Sequence, residues 1–394
     1  MVTTSRMTEA PAAVRLCQFL WREQQAPRRE FTTAVSLHSH TLHSKERLGF
    51  IPRYAERVPI IRGLVRKQEE RYHQIHGYPV DYRTGWWTPP LSPREAFDLE
   101  RTQIEQQLGM DGLVSLTDHD DIEAPMHLHV LSELKHVPIS VEWTVPFGTS
   151  FFHLGIHNLP VDHAKSIMDV LRAYTANPDE DTLPGIFDML TGYPNVLVVL
   201  NHPLWDEPCI GADAHRNLLL LFTARFRQWL HAAELNGLRY WAENKCVIEY
   251  AAENRLPLIS GGDRHGCEPN GNVNLTNARC FNGFVDEVRN DGVSKILFLN
   301  HYREPVKLRL IQGLVDALRD YPEFPAGRRL WSDRVYFEKP DGTIRTLSSV
   351  WKGGGPPVVR WFVACVRRLE CQTTRIALRR AFFQYELPEH EEVA

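Results

Sequence analysis

Val35-Ser36-Leu37-His38-Ser39-His40 is a short apolar run that ends in two histidines one residue apart. On a β-strand, residues i and i+2 share a face, so His38 and His40 would turn both imidazoles toward one point as a chelating pair. Three later segments have the same form, an apolar run that stops at His, Asp or Glu: Leu113 to His119, Val196 to His202, and Leu258 to His265. Neutral imidazole and carboxylate are ligands of Zn, Fe and Mn. Four such strand ends meeting at one place would form a multinuclear metal centre.

Composition bounds the classes open to the chain. Its 394 residues, 43% hydrophobic and 24% charged, suit a large globular domain with an appendage. The net charge of −4 disfavours a nucleic-acid binder that works through bulk positive charge. No apolar run reaches the roughly 18 to 20 residues that span a bilayer. Arg15 and Gln18 interrupt any signal-peptide core, and the seven Cys show no C-x-x-C or pairing pattern. These features lead to the expectation of a cytoplasmic protein with no membrane partner.

The chain divides into a leader over 1–30, a barrel over 31–300 with an insertion at 46–91, and a C-terminal extension over 301–394. The leader carries a short amphipathic helix around Val14 to Glu23. The insertion, with Tyr82, Trp86 and Trp87, reads equally as a lid over a site or as an excursion packed on its own aromatics. Ser92-Pro93-Arg94-Glu95 is a helix start, and that helix stops at Gly109. A strand then ends in Asp118-His119-Asp120. His127 and His129 repeat the H-x-H spacing on a helix, where i and i+2 lie about 200° apart and cannot close on one ion. Val137 to Val141 is a strand ending at Glu142, and Phe151 to Ile156 is a strand carrying His153, with His157 nearby. Val196 to Leu200 reads as a strand buried on both sides. Ala232 to Leu235 and Leu256 to Ser260 are further strands, with helices between. Strands alternating with helices, each with polar residues at its carboxyl end, is the pattern of an α/β barrel with its site on that face. Residues 266–295 read as a pocket-shaping loop. Beyond 300, Arg309 to Leu318 and Arg360 to Phe383 are helical, and Arg334 to Leu347 is a hairpin.

Taken together, HSH, TDH, a Glu-ending strand, H-x-x-G, NHP and GGDRH over residues 33–266 resemble the PHP (polymerase and histidinol phosphatase) superfamily of metal-dependent phosphoesterases. The resemblance implies a distorted (β/α)7 barrel holding two or three divalent ions (Mn, Fe or Zn). The implied ligands are His38, His40, His119, Glu142 as the carboxylate bridging two metals, His153, His202, Asp263 and His265. The family's usual Asp or His after the first motif falls here on His43-Ser44-Lys45-Glu46, where either Glu46 or His43 takes the third-metal role. His153 is preferred to His157 by motif position.

The implied chemistry is hydrolysis of a small phosphorylated substrate by a hydroxide that the metals share. Arg264, between two ligands, either forks onto phosphate or pairs with a nearby acid. His43 is a candidate acid for the leaving group, and Asp118 a candidate for orienting a ligand. Two alternatives stand beside this: an amidohydrolase, and a non-catalytic metal-bearing regulatory module.

Overall fold

Val196 to Leu200 is buried on both faces: Val196, Val198 and Leu200 join the largest apolar cluster, while Leu197 and Val199 join another with Val35, Leu37, Ala232 and Ile259. Such a run can only be an interior strand with a layer on each side. The computed structural model describes residues 17–21, 30–49, 51–56, 59–351, 355–369 and 371–381, which hold strands β1 (Cys17–Trp21), β2 (Thr33–Ser36), β3 (Glu46–Arg47), β4 (Gly85–Trp87), β5 (Asp111–Val114), β6 (Ile139–Phe147), β7 (Ser150–Leu159), β8 (Leu197–Leu200), β9 (Ala232–Asn236), β10 (Leu258–Gly261), β11 (Asn272–Thr276), β12 (Ser294–Phe298), β13 (Val335–Glu338) and β14 (Ile344–Thr346).

These strands form an α/β fold with three sheets, in the orders β1-β12-β11-β2-β5, β10-β9-β8-β7-β6 and β14-β13-β4-β3. The two large sheets face each other across the inner cluster, which the helix Phe281–Arg289 closes with Phe281, Phe284, Val285 and Val288. Single parallel bridges, Ser39 to Arg264 and His119 to Glu142, join them at their ends. Among the described residues the ladders do not close into a barrel, and the sheets are mixed rather than parallel. In the first sheet β11 runs antiparallel to β2 and β12; in the second the cause is local: Phe147 pairs with Ser150, so β6 and β7 form a hairpin over Gly148-Thr149, with Gly148 at φ 58°. Two-residue hairpin loops demand a positive φ, which glycine supplies without strain.

The helix Pro93–Leu108 is as its sequence dictates, with Ser92 and Glu95 in a reciprocal capping box and Gly109 left-handed at its end. Elsewhere expectation and structure differ. Residues 17–21, expected within a helix, pair as a strand with β12, whose open edge offers hydrogen bonds to the aromatic-rich Phe19-Leu20-Trp21. The rest of the leader, Glu30 apart, lies outside the described residues. The segment 266–295, expected as loop, contains β11 and the helix Phe281–Arg289. Asn272 and Asn274, residue types common in turns, are both buried and bonded to neighbouring strands, Asn272 Nδ2 to Leu235 O at 2.9 Å and Asn274 Nδ2 to Ser260 O at 3.0 Å. The single helix expected over 360–383 is two, Pro357–Arg368 and Gln372–Ala381, and residues 382–383 lie outside the described set. The hairpin expected over 334–347 is present as β13 and β14. Among the described residues, no helix is long and apolar enough to cross a membrane.

One titratable group in this scaffold gives a pH test of the fold itself. His231 Nδ1 accepts from the Val198 amide at 2.9 Å, and burial, with Arg289 and Arg227 beside it, lowers its pKa from 6.5 to about 3. Between those values the unfolded chain takes a proton that the fold refuses, so stability is lost as pH falls from 6.5 toward 3, by at most about 1.4 kcal/mol per unit. His231→Asn keeps an acceptor without the titration. It is expected to flatten the fall of the urea midpoint between pH 7 and 5, and an unchanged slope would assign that fall to other groups.

Candidate metal centre

The strands stop short of the residues they present. β2 ends at Ser36, and His38 follows in the left-handed region at φ 64°; His202 after β8 has φ 27°, and Asp263 after β10 has φ 50°. The shared direction of His38 and His40 therefore comes from a backbone turn pinned by the Ser39 to Arg264 bridge, not from strand alternation. His40 N donates to Arg264 O at 2.8 Å, and Gly262 N to Leu37 O at 2.8 Å. Left-handed conformations are costly for residues other than glycine and concentrate at functional sites. Glu142 and His153 differ again, because both lie inside strands of the β6–β7 hairpin.

Glu142 sits at the centre. Its Oε2 lies 3.0 Å from His38 Nε2, 3.4 Å from His40 Nε2 and 3.3 Å from His119 Nδ1. Its Oε1 lies 3.1 Å from His202 Nε2 and 3.6 Å from His153 Nδ1. Asp263 Oδ1 is 3.6 Å from each of His38 Nε2, His40 Nε2 and His265 Nδ1. Glu46 Oε2 is 3.4 Å from His119 Nε2 and 3.3 Å from His265 Nε2. Four overlapping groups result, in each of which the candidate ligand atoms lie within 4.8 Å of one another: His40, Glu46, His119 and His265; His38, His40 and Glu142; His38, His202 and Asp263; and His119, Glu142 and His153. Within this cluster, His38 Nε2, His40 Nε2, His119 Nδ1 and Glu142 Oε2 are buried and make no hydrogen bond. Orphaned buried polar atoms are costly. Four of them converging is what a cation-binding set requires, so these groups fit divalent ions.

The charges agree with that fit. Against the burial that would raise it, Glu142 is held well below the ordinary carboxylate range by His38, His119, His153 and His202, and Asp263 is held down by His38, His40, His265 and His202. Against burial, Glu142, Glu234 and Asp263 raise His38, and Glu46 raises His265 to about 9. His40 goes the other way, lowered to about 4 by burial and the neighbouring His265. These histidine–carboxylate pairings are the ones that a bound divalent ion would replace, since metal binding displaces protons from its ligands.

Several residues that act on this cluster escaped the sequence reading. Glu234 on β9 is buried; its Oε1 contacts His38 Nδ1 at 2.6 Å and its Oε2 accepts from His202 N at 2.9 Å. Asn201 Nδ2 donates to Glu142 Oε1 at 3.0 Å, and Asn236 Nδ2 to Asp263 Oδ2 at 3.1 Å. The signal for Glu234 was available: an acid inside the apolar run Ala232-Ala233-Glu234-Leu235 must have a partner. By fixing the His38 ring, Glu234 leaves Nε2 free for an ion. Glu234→Gln is expected to weaken metal binding about 10- to 100-fold. Chelator competition checks it, and wild-type affinity would show that His38 needs no such partner.

Of three expected roles, Arg264 takes its acid-pairing form and the other two take a different one. Arg264 does not point into the cluster: its Nη1 pairs with the fully buried Glu100 at 2.7 Å and its Nη2 donates to Gly266 O, so its fork is unavailable to phosphate. Asp118 holds no ligand imidazole; it accepts from the Thr41 amide and, at 2.7 Å, from Thr41 Oγ1, tying down the chain after His40. His43 faces His127 with ring centroids 4.9 Å apart and belongs to none of the four groups. His157 is buried against Ser115 Oγ at 2.9 Å and is also outside them. Lys45 lies over the Trp86 ring. A guanidinium does reach the cluster, from Arg239, which stacks 3.6 Å from the centroid of Trp205 with its Nη2 3.7 Å from Asp263 Oδ2. Beside it, Phe151, His153, His202, Trp205 and Glu207 line a shallow cleft.

No family model matches the chain, and no curated protein matches it. Among solved structures it is similar to an amidohydrolase from Chromobacterium violaceum with bound sulfate and no metal, at 15% identity over 46% of this chain and 84% of that one, TM-score 0.31. It is also similar to a provisionally assigned metal-dependent phosphoesterase from Bifidobacterium adolescentis, at 16% identity over 51% of this chain and 91% of that one, TM-score 0.30. Neither overlap is high enough to equate the chain with either protein.

Proposed function

We propose that the chain is a metal-dependent phosphoesterase of PHP type acting on a small phosphorylated substrate. One observation carries the reading: nine His, Asp and Glu side chains, from both large sheets and from β3, converge in four overlapping groups around atoms that lack hydrogen bonds. His38, His40, Glu142, His202 and Asp263 would hold one part of the metal set, His119 and His153 would share Glu142, and Glu46 with His265 would complete a third position. Divalent Mn, Fe or Zn held there would supply an acidified water and neutralise phosphate charge.

The protein's own groups do the rest. Arg239, kept rigid by its stack on Trp205, would take the phosphate oxygens that Arg264 cannot reach. Phe151 and Trp205 would keep bulk water from the scissile bond. Glu207 Oε2 lies 3.9 Å from His153 Nδ1, and desolvation raises its pKa above the usual carboxylate value, which favours it as a proton donor at the mouth of the cleft. The same reading takes β2-β5-β6-β7-β8-β9-β10 as a distorted seven-stranded barrel over 31–300, since the two single bridges fall where a ring would close.

The test is metal per chain in protein purified without chelator or immobilised nickel, followed by a panel of phosphate mono- and diesters. Two to three equivalents with metal-dependent ester hydrolysis is the expected result. Less than half an equivalent, unrecovered on adding metal back, would overturn it; turnover of amides or lactones but no phosphate ester would shift the reading to an amidohydrolase.

A further inference from the structure

Eight of the nine clustered residues come from the two large sheets or the turns at their strand ends. Glu46 does not: it opens β3, a two-residue strand of the small sheet. Two residues cannot hold themselves extended. β3 is held extended by its sheet, with Glu46 paired to Trp87 and Arg47 to Trp86 on β4, while Ser44 Oγ donates to Glu46 Oε1 at 2.6 Å. The other edge of β4 is occupied by the C-terminal hairpin, Val335 opposite Trp87, Tyr336 opposite Trp86 and Phe337 opposite Gly85. Thr88 N adds a bond to Arg334 O at 2.9 Å.

The side chains repeat the connection. Tyr336 stacks on Trp86 with centroids 5.6 Å apart and planes at 11°, and the Lys45 ammonium sits 5.5 Å from the same Trp86 ring. Lys45 immediately precedes Glu46. On the neighbouring position of β4, the Trp87 ring lies 6.3 Å from His265 at 22°, close to parallel. Tyr336 therefore bears on Trp86, Trp86 on the backbone that carries Glu46, and Trp87 on His265, the second residue of the same group.

We propose that the C-terminal hairpin completes the metal position formed by His40, Glu46, His119 and His265, with Tyr336 as its positioning residue. This rests on the metal-centre reading above. The remaining groups, built on the large sheets, do not depend on the hairpin. The consequence is a centre with one separable position, set by a segment far along the chain from the ligand it presents.

The experiment is stepwise metal removal from the full chain with increasing chelator, read by elemental analysis, for wild type, Tyr336→Ala, Tyr336→Phe and Glu46→Gln. Tyr336→Ala is expected to release one equivalent at a chelator concentration at least about tenfold lower than wild type, to hold the others as wild type does, and so to resemble Glu46→Gln. Tyr336→Phe, which keeps the stack, is expected to restore wild-type retention. If Tyr336→Ala does not fold, Trp86→Ala removes the same stack from its other side and is read in the same way. Wild-type retention in Tyr336→Ala, equal weakening of every equivalent, or failure of Tyr336→Phe to rescue would each overturn the proposal while leaving the metal centre standing. A wild-type protein that binds no ion overturns both.

Discussion

Under the proposed function, Glu142→Gln is expected to lower phosphate-ester hydrolysis about 10³-fold or more while the protein remains folded. The carboxylate is fully buried, with Oε2 facing His38, His40 and His119 from one large sheet and Oε1 facing His153 and His202 from the other. An amide in its place is neutral and offers one acceptor instead of two, so the groups built on Glu142 lose both charge and geometry together. The measurement is kcat at saturating metal, with bound metal counted in the same sample. Activity within tenfold of wild type would remove the basis of the hydrolase reading, because no other carboxylate contacts so many of the histidines.

The second large effect is on stability. Glu100, on the helix Pro93–Leu108, is fully buried, and its carboxylate is shared by Arg264, Ser36 Oγ and Asn270 Nδ2. Glu100→Ala would leave the Arg264 guanidinium, itself 3% exposed, without a counter-charge inside the protein. Removing one partner of a buried pair costs about 3–5 kcal/mol, whereas replacing both by apolar residues is often close to neutral. Urea unfolding of Glu100→Ala is expected to show that loss, and the double variant Glu100→Met with Arg264→Met to recover most of it. A loss below about 1 kcal/mol for the single variant would mean that Arg264 finds another partner. Since Arg264 lies between Asp263 and His265, the single variant is also expected to loosen metal retention.

Much of this was legible in the chain. The apolar runs ending in His, Asp or Glu mark the segments that carry the clustered side chains, and Ser92 with Glu95 and Gly109 fix the helix that carries Glu100. What the sequence hid has identifiable causes. A two-residue loop at Gly148-Thr149 turned two expected separate strands into one hairpin, which put Glu142 inside a strand instead of at its end. Asn272 and Asn274 carry turn chemistry in isolation, and only the neighbouring strands, which bond their side chains, make them strand residues. For Arg264 the sequence left phosphate and a nearby acid equally open, because its partner Glu100 lies far away in sequence. Pairing of β4 with β13 is likewise non-local, so nothing within the insertion announced that the C-terminal hairpin would border it.

The left-handed backbone at His38, His202 and Asp263 changes how the site should be dissected. These three residues form one of the four groups, so each meets two demands at once, offering a donor atom and holding an unfavourable main-chain conformation. An alanine scan would report both losses as one number. Asparagine and glycine accept that conformation more readily than alanine. Asp263→Asn therefore isolates the charge, His38→Gly isolates the missing imidazole, and alanine at the same positions adds conformational strain. Transplanting the centre into another scaffold would fail on side chains alone, because three of its coordinates are torsion angles.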